Sequence, residues 1–235
     1  MNERIIRIRE SERKSHTEIY TNEKLYSSDS WLQKPIKTVK EILALFEEYN
    51  DLKVLDLGCG VGRNSIYIAE EFKGNKCIID CVDLLEIAIE KLVLNAAEHN
   101  VAANINGIVK SIEEYEIKDN SYDLIMAISA LEHIDTYESF LRKLAEIKGG
   151  LRENGIVCFV INSNVREVNQ STNEFADAQF EVNLPTEKIQ ECLSTVFDGW
   201  NLLKTSASEQ EYDIPRETFI SRLSTNVVTF VARKP

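Results

Sequence analysis

Val54-Leu55-Asp56-Leu57-Gly58-Cys59-Gly60-Val61-Gly62-Arg63-Asn64-Ser65 passes from a short apolar run into three glycines on alternate positions. The run LKVLDL (52–57) is short, β-branched in part and bounded by polar residues and glycine, which predicts a buried parallel strand. Helix signals follow at 63–72. Gly58, Gly60 and Gly62 therefore fall where a strand turns into a helix, and glycine there allows a tight turn and close approach of a ligand to the backbone. The spacing is G-x-G-x-G, whereas a dinucleotide fingerprint needs G-x-G-x-x-G with its pyrophosphate on the helix N-terminus. Asp56, two residues before the first glycine, is a poor neighbour for pyrophosphate and a good one for a ligand that carries an ammonium group.

Downstream the pattern repeats. CIIDCVD (77–83) reads as a second strand and residues 84–100 as an amphipathic helix. NINGIV (104–109) is a weaker third strand, YDLIMAIS (122–129) a fourth and IVCFVIN (156–162) a fifth. Residues 136–148 form a helix between the last two, ended by Gly149 and Gly150. This alternation predicts an α/β, doubly wound parallel sheet with helices on both faces. The tail differs. Residues 170–181 are polar and read as a mobile loop, and Pro185 opens one more helix. Residues 200–208 and 226–234 read as two closing strands, an antiparallel pair at the sheet edge, with EQEYDIPRETFI as a surface excursion between them. Upstream, residues 1–34 are polar with scattered aromatics and read as an N-terminal helical extension or lid; residues 35–235 form the main domain.

With 235 residues the chain suits one α/β domain with a small addition. Its net charge is 27 − 39 = −12, a balance that argues against nucleic acid or an anionic membrane as partner and favours a small molecule. Five cysteines (59, 77, 81, 158, 192) follow no zinc spacing, so buried reduced thiols and no metal are expected. No apolar run reaches the ~20 residues of a membrane span, and the charged start lacks a signal-peptide core, so the expected location is cytoplasmic. The oligomeric state is not legible.

Asp83 closes the second strand, 21 residues past Gly62, near the ~20-residue offset of ribose-binding acids. With Asp83 in place, the chain resembles the class I S-adenosylmethionine-dependent methyltransferases. VLDLGCGVGRNS is similar to their first motif and CVDLLEIAIEKL to the second-strand motif. KSIEEYEIKDNSYDLIMAISALEHI and LRENGIVCFVI are similar to their third-to-fourth and fifth-strand blocks. The resemblance covers roughly residues 40–162. It implies a seven-stranded sheet with an antiparallel last strand, and S-adenosylmethionine as cofactor with S-adenosylhomocysteine as product. Asp56, Gly58, Cys59, Gly60 and Gly62 would hold the methionine end, Asp83 and Leu84 the ribose, and Ser111 and Ile112 the adenine. Ser111 stands where relatives often carry an acid, and Glu113 is a candidate replacement. A narrower resemblance, in GRNS (62–65), FDGWNLLK (197–204) and VVTFVARK (227–234), is to tellurite-resistance-type methyltransferases.

Ile128 and Ser129, at the fourth strand's carboxyl end, are placed to line the cofactor pocket. His133 is the one histidine positioned to act as a base, against a bland reading as a structural residue of the cofactor loop. Tyr20, Tyr26 and Trp31 are lid candidates whose aromatic faces suit a sulfonium neighbour, against simple packing. Asn162, Asn164 and Arg166 leave the fifth strand toward the same edge as acceptor-site candidates. The expected reaction is in-line methyl transfer to a small-molecule acceptor. Two rival readings are a non-catalytic cofactor-binding or interaction protein and a nicotinamide-dependent reductase, the latter lacking its glycine spacing.

Overall fold

The computed structural model describes residues 2–28, 30, 32–73, 76–216 and 218–235. Its centre is a sheet in the order β3-β2-β1-β4-β5-β8-β7, made of β1 (Asp51–Leu57), β2 (Lys76–Asp83), β3 (Ile105–Val109), β4 (Tyr122–Ile128), β5 (Leu151–Asn169), β7 (Asn201–Pro215) and β8 (Ile220–Arg233). The two-residue β6 (Phe175–Ala176) pairs antiparallel with the end of β5. β1 through β5 run parallel, and β8 lies antiparallel to both β5 and β7. The doubly wound, mostly parallel sheet is therefore the fold that the alternation predicts, and its antiparallel last strand is the one that the tail and the family resemblance imply.

Burial follows chemistry along the strands. Every residue of β4 but the last is buried, as in a strand covered on both faces. Two apolar clusters flank the sheet. One joins Val54, Ile79 and Leu124 to α3 (Ser65–Glu71) and α4 (Glu86–Glu98). The other joins Leu55, Ile125 and Phe159 to α5 (Tyr137–Gly150) and α6 (Thr186–Val196). The five cysteines are free and buried. No helix among the described residues is long and apolar enough to cross a membrane.

The amino-terminal segment forms one long helix, α1 (Glu3–Asn22), capped by the Asn2 side chain on Arg4 N. α2 (Lys37–Leu43) follows. Leu25 and Leu32, between them, are buried in the first cluster, while Trp31 lies outside the described residues.

The carboxyl-terminal half departs from expectation. β5 does not stop at residue 162. A register shift between Ser163 and Arg166, with Asn164 at φ +50°, bends it, and it continues to Asn169. Asn183 fills the backbone groups freed at this bulge, accepting from Val165 N (2.9 Å) and donating to Val165 O (2.7 Å). The excursion at 209–220 is likewise the far end of one long hairpin, with β7 paired to β8 as far as Pro215 and Ile220. β7 is almost wholly exposed, and Lys204, Glu209, Glu211 and Asp213 mark it as a charged sheet edge.

Candidate cofactor and acceptor site

The order β3-β2-β1-β4-β5 reverses direction between β1 and β4, and open α/β sheets bind ligands outside the carboxyl ends of strands at such a point. The glycine turn lies there. Gly58, Gly60 and Gly62 have φ +74°, +53° and +91°, a region that costs any other residue strain. Gly58 N and Cys59 N donate to Val82 O (2.8 and 3.1 Å), which locks the turn to β2. A Cβ at Gly58 would come within 2.4 Å of Ala130 Cβ.

Asp83 ties the turn to the next helix. One carboxylate oxygen accepts from Gly60 N and the other from Leu85 N, both at 2.9 Å. These bonds pull its titration down, but burial dominates and holds the carboxyl above its usual range. Asp56 is deeper, 1% exposed, and accepts from Ser65 Oγ at 2.5 Å. Burial outweighs that bond and pushes Asp56 up to about 7. The buried Cys59 thiol is likewise held well above its usual range by burial.

The remaining cofactor candidates line the same edge. Leu84 and Ile128 are half-buried, and Ser129 is exposed with φ +52°, unusual for serine, its N–H on Val160 O (2.7 Å). Ile112 is buried below Gly58. Ser111 Oγ is buried with no hydrogen-bond partner among the described residues, so it has a bond to offer. The positive-φ glycine cradle, the Asp83 carboxylate and this unsatisfied hydroxyl together fit a nucleoside ligand with a charged amino-acid end. Glu113, the candidate adenine partner, is held by Arg9 of α1 (2.5 Å).

α1 crosses over these groups. Tyr20 is 5% exposed, and a Cβ at Gly60 would sit 3.1 Å from its hydroxyl. One turn back His16 packs on Tyr20, ring centroids 5.3 Å apart. Glu12 meets His133, and Arg9 reaches Glu113 and Glu181. Tyr26 is placed differently: its hydroxyl donates to Arg63 O (2.8 Å) and its ring stands edge-on to His99.

His133 carries most of the site's electrostatics. Its Nδ1 lies 3.1 Å from a Glu12 oxygen and 3.0 Å from a Glu181 oxygen. Phe180 stacks on the ring at 5.0 Å. Burial pulls the imidazolium down, but Glu12, Glu181 and Glu132 outweigh it and hold His133 up at about 9. Glu12, His133 and Glu181 also present donor atoms within 4.8 Å of one another, a spacing a metal ion could share. Arg9 sits against Glu181 at 3.4 Å, however, so the chain supplies cations of its own.

Among the acceptor candidates, Asn162 touches this cluster: its N–H and its side-chain amide both donate to Glu132. Asn164 turns to α6, bonding Thr186 Oγ1 (3.0 Å) and Leu184 O. Arg166 is exposed on the extended part of β5. Sequence reasoning missed Glu12, Phe180 and Glu181. The segment read as a mobile loop is pinned instead: Val182 N donates to Glu132 O (3.0 Å), Arg4 pairs with Asp177, and Gln179 accepts from Ser11 and Arg216. The contacts that pin it to α1, to the turn carrying Glu132 and to Arg216 are made across distant parts of the chain, so no local pattern announced them.

A parallel sheet reversed at β1/β4, a G-x-G-x-G turn at that point and an acid closing β2 agree with the resemblance to class I S-adenosylmethionine-dependent methyltransferases, and known proteins show the same likeness. Residues 54–155 match the family described as a methyltransferase domain. Over 108 residues the chain is 27% identical to a ubiquinone biosynthesis O-methyltransferase of Rickettsia bellii (46% of this chain, 42% of that protein). Over 95 residues it is 30% identical to the (S)-coclaurine N-methyltransferase of Thalictrum flavum (40% and 25%). The chain thus spans less than half the length of these two relatives. In fold it is similar to TehB from Haemophilus influenzae (TM-score 0.59, 20% identity, 83% of this chain and 62% of that one). It is also similar to the [4+2]-cyclase SpnF (TM-score 0.58, 14% identity, 91% and 85%).

Proposed function

We propose that the chain transfers a methyl group from S-adenosylmethionine to a small-molecule acceptor, with residues 56–62, 83–84, 111–112 and 128–129 holding the cofactor and α1 as the lid. The observation that carries this reading is the glycine turn at the switch point, with Gly60 N fixed by the acid that ends β2. The glycine spacing supports S-adenosylmethionine over a nicotinamide cofactor.

Bound there, the cofactor supplies an activated methyl and its own leaving group. The chain's part is placement. Asp56 offers negative charge to an ammonium, Asp83 offers acceptor oxygens to ribose hydroxyls, and the Ser111 hydroxyl is free to bond the adenine. Glu113 reaches adenine only if Arg9 shares it. α1 covers the edge and limits water, so that an acceptor held beside His133 and Asn162 meets the methyl in line. The O- and N-methyltransferase relatives support a small acceptor, and the SpnF likeness is a reminder that this fold hosts other chemistry.

The test is calorimetric titration with S-adenosylhomocysteine and with NAD, followed by a screen of catechol, N-methylbenzylamine and 2-mercaptoethanol for S-adenosylhomocysteine release. Binding of S-adenosylhomocysteine and turnover of one acceptor are expected. Preference for NAD would sink the cofactor assignment. Binding without any turnover would favour the non-catalytic reading.

A further inference from the structure

We propose that Glu181 is the positioning residue of His133: its carboxylate fixes the ring with Nδ1–H turned inward and Nε2 presented to the acceptor, as the atom that takes the acceptor's proton. The inference rests on the reading of this edge as a methyltransferase site.

Three features of the geometry carry it. First, Nδ1 faces two carboxylates, from Glu181 at 3.0 Å and Glu12 at 3.1 Å. A bare nitrogen lone pair would repel both, so the proton belongs on Nδ1. The Glu181 side chain is 1% exposed, and a buried carboxylate gives up its partner only at high cost. Second, the ring cannot rotate freely. Phe180 stacks on one face at 5.0 Å and 26°, and the backbone bond from Val182 N to Glu132 O pins this segment to the turn that carries His133. Third, the ring's hydrogen bond and ion pairs among the described residues are made at Nδ1, and the His133 side chain keeps 25% exposure beneath α1. Nδ1 is thus held, and Nε2 is the nitrogen left for the acceptor.

The chemistry follows. As the acceptor's lone pair bonds to the methyl carbon, the carbon–sulfur bond breaks and its electron pair stays on sulfur. From the neutral ring, the form that dominates above about pH 9, the acceptor's proton passes to Nε2, and the imidazolium so formed is stabilised by Glu181. The groups facing His133 are Glu12 from α1, Glu132 from its own turn and Glu181, with Arg9 shared by Glu181 and Glu113. The carboxylates raise the affinity of His133 for a proton against the pull of burial.

The first readout needs no acceptor: NMR titration of 15N-histidine in the full chain, with the signal assigned by His133→Asn. Wild-type His133 should titrate near pH 9 as the Nδ1–H tautomer. Glu181→Gln should lower that midpoint by at least about one unit, a tenfold loss in proton affinity, and Glu181→Asp should restore most of it. A midpoint near the ordinary histidine value, or one unmoved in Glu181→Gln, overturns the proposal. The second readout uses whichever of the three screened acceptors is turned over. The alkaline rise of kcat against pH should move to lower pH in Glu181→Gln, whereas a structural role alone would lower kcat without moving it. If the wild type turns over none of them, the methyltransferase reading falls, while the titration still decides the role of Glu181 in holding the ring.

Discussion

Asp56 and Asp83 both lie at the carboxyl ends of neighbouring strands, yet their surroundings give them different work. Among the described residues Asp56 has one hydrogen bond, from Ser65, and burial leaves it half protonated near neutral pH. A ligand ammonium arriving beside it favours the ionised form, so binding should expel a proton. Affinity for S-adenosylhomocysteine is therefore expected to rise from roughly pH 6 to roughly pH 8. Calorimetry in two buffers of different ionisation heat should report proton release, and Asp56→Asn should abolish both effects. A pH-independent affinity in the wild type would place the ammonium elsewhere. Asp83, by contrast, is a bracket: its two oxygens hold the glycine turn and the start of α4 while keeping lone pairs for a ligand. Charge-assisted hydrogen bonds are worth roughly 1.5–3 kcal/mol, so Asp83→Ala should cost about ten- to over a hundredfold in affinity, measured by calorimetry on a variant of native circular dichroism. These residues were legible because strand, turn and acid are adjacent in sequence, and their spacing is itself the signal.

The elements above the sheet show why the rest was not legible. α1, the segment 177–184 and the β5–β8 extension converge on His133 through Glu12, Glu181 and the Gln179 bridge, contacts made between residues far apart in the chain. Reading β5 past residue 162 failed for a related reason. Its inward side carries Ser163, Val165 and Glu167, and Glu167 is buried against Arg216 and Ser221. A strand whose buried face is largely polar has no hydrophobic alternation to detect. The latch on His133 has a consequence for stability. Its folded value, about 9, lies above the ordinary histidine value, so the latch stabilises fully below about pH 6.5 as far as His133 is concerned, and that contribution is lost as pH rises through about 9. On the acid side Glu12, held above its usual range by burial, takes up a proton early and weakens the same latch. The Tm of the wild type should thus fall between neutral pH and pH 9 by more than that of His133→Asn. Parallel curves for the two proteins would remove His133 from the stability of the closed form.

For the molecule as a whole, the proposed reading gives the sheet the cofactor site and α1 its cover. The groups assigned to the cofactor all belong to residues 56–129, whereas α1 adds Tyr20 beside Gly60, Glu12 on His133 and Arg9 on Glu113. Removing residues 2–22 leaves Leu25 and Leu32 in the core and exposes what Ile5, Ile8, Ile19 and Tyr20 cover, a small part of the apolar core, so the shortened chain should fold. Losing the Tyr20 contact should cost cofactor affinity no more than about tenfold, the equivalent of ~1.4 kcal/mol. Turnover should suffer more, about a hundredfold or beyond, because an uncovered edge admits water and a loosely placed acceptor loses its alignment. The measurement is S-adenosylhomocysteine affinity by calorimetry beside kcat with the same acceptor, on the full and shortened chains. An equal loss in both would make α1 part of the cofactor site rather than its cover. No loss in either would reduce its contacts with Gly60 and His133 to packing.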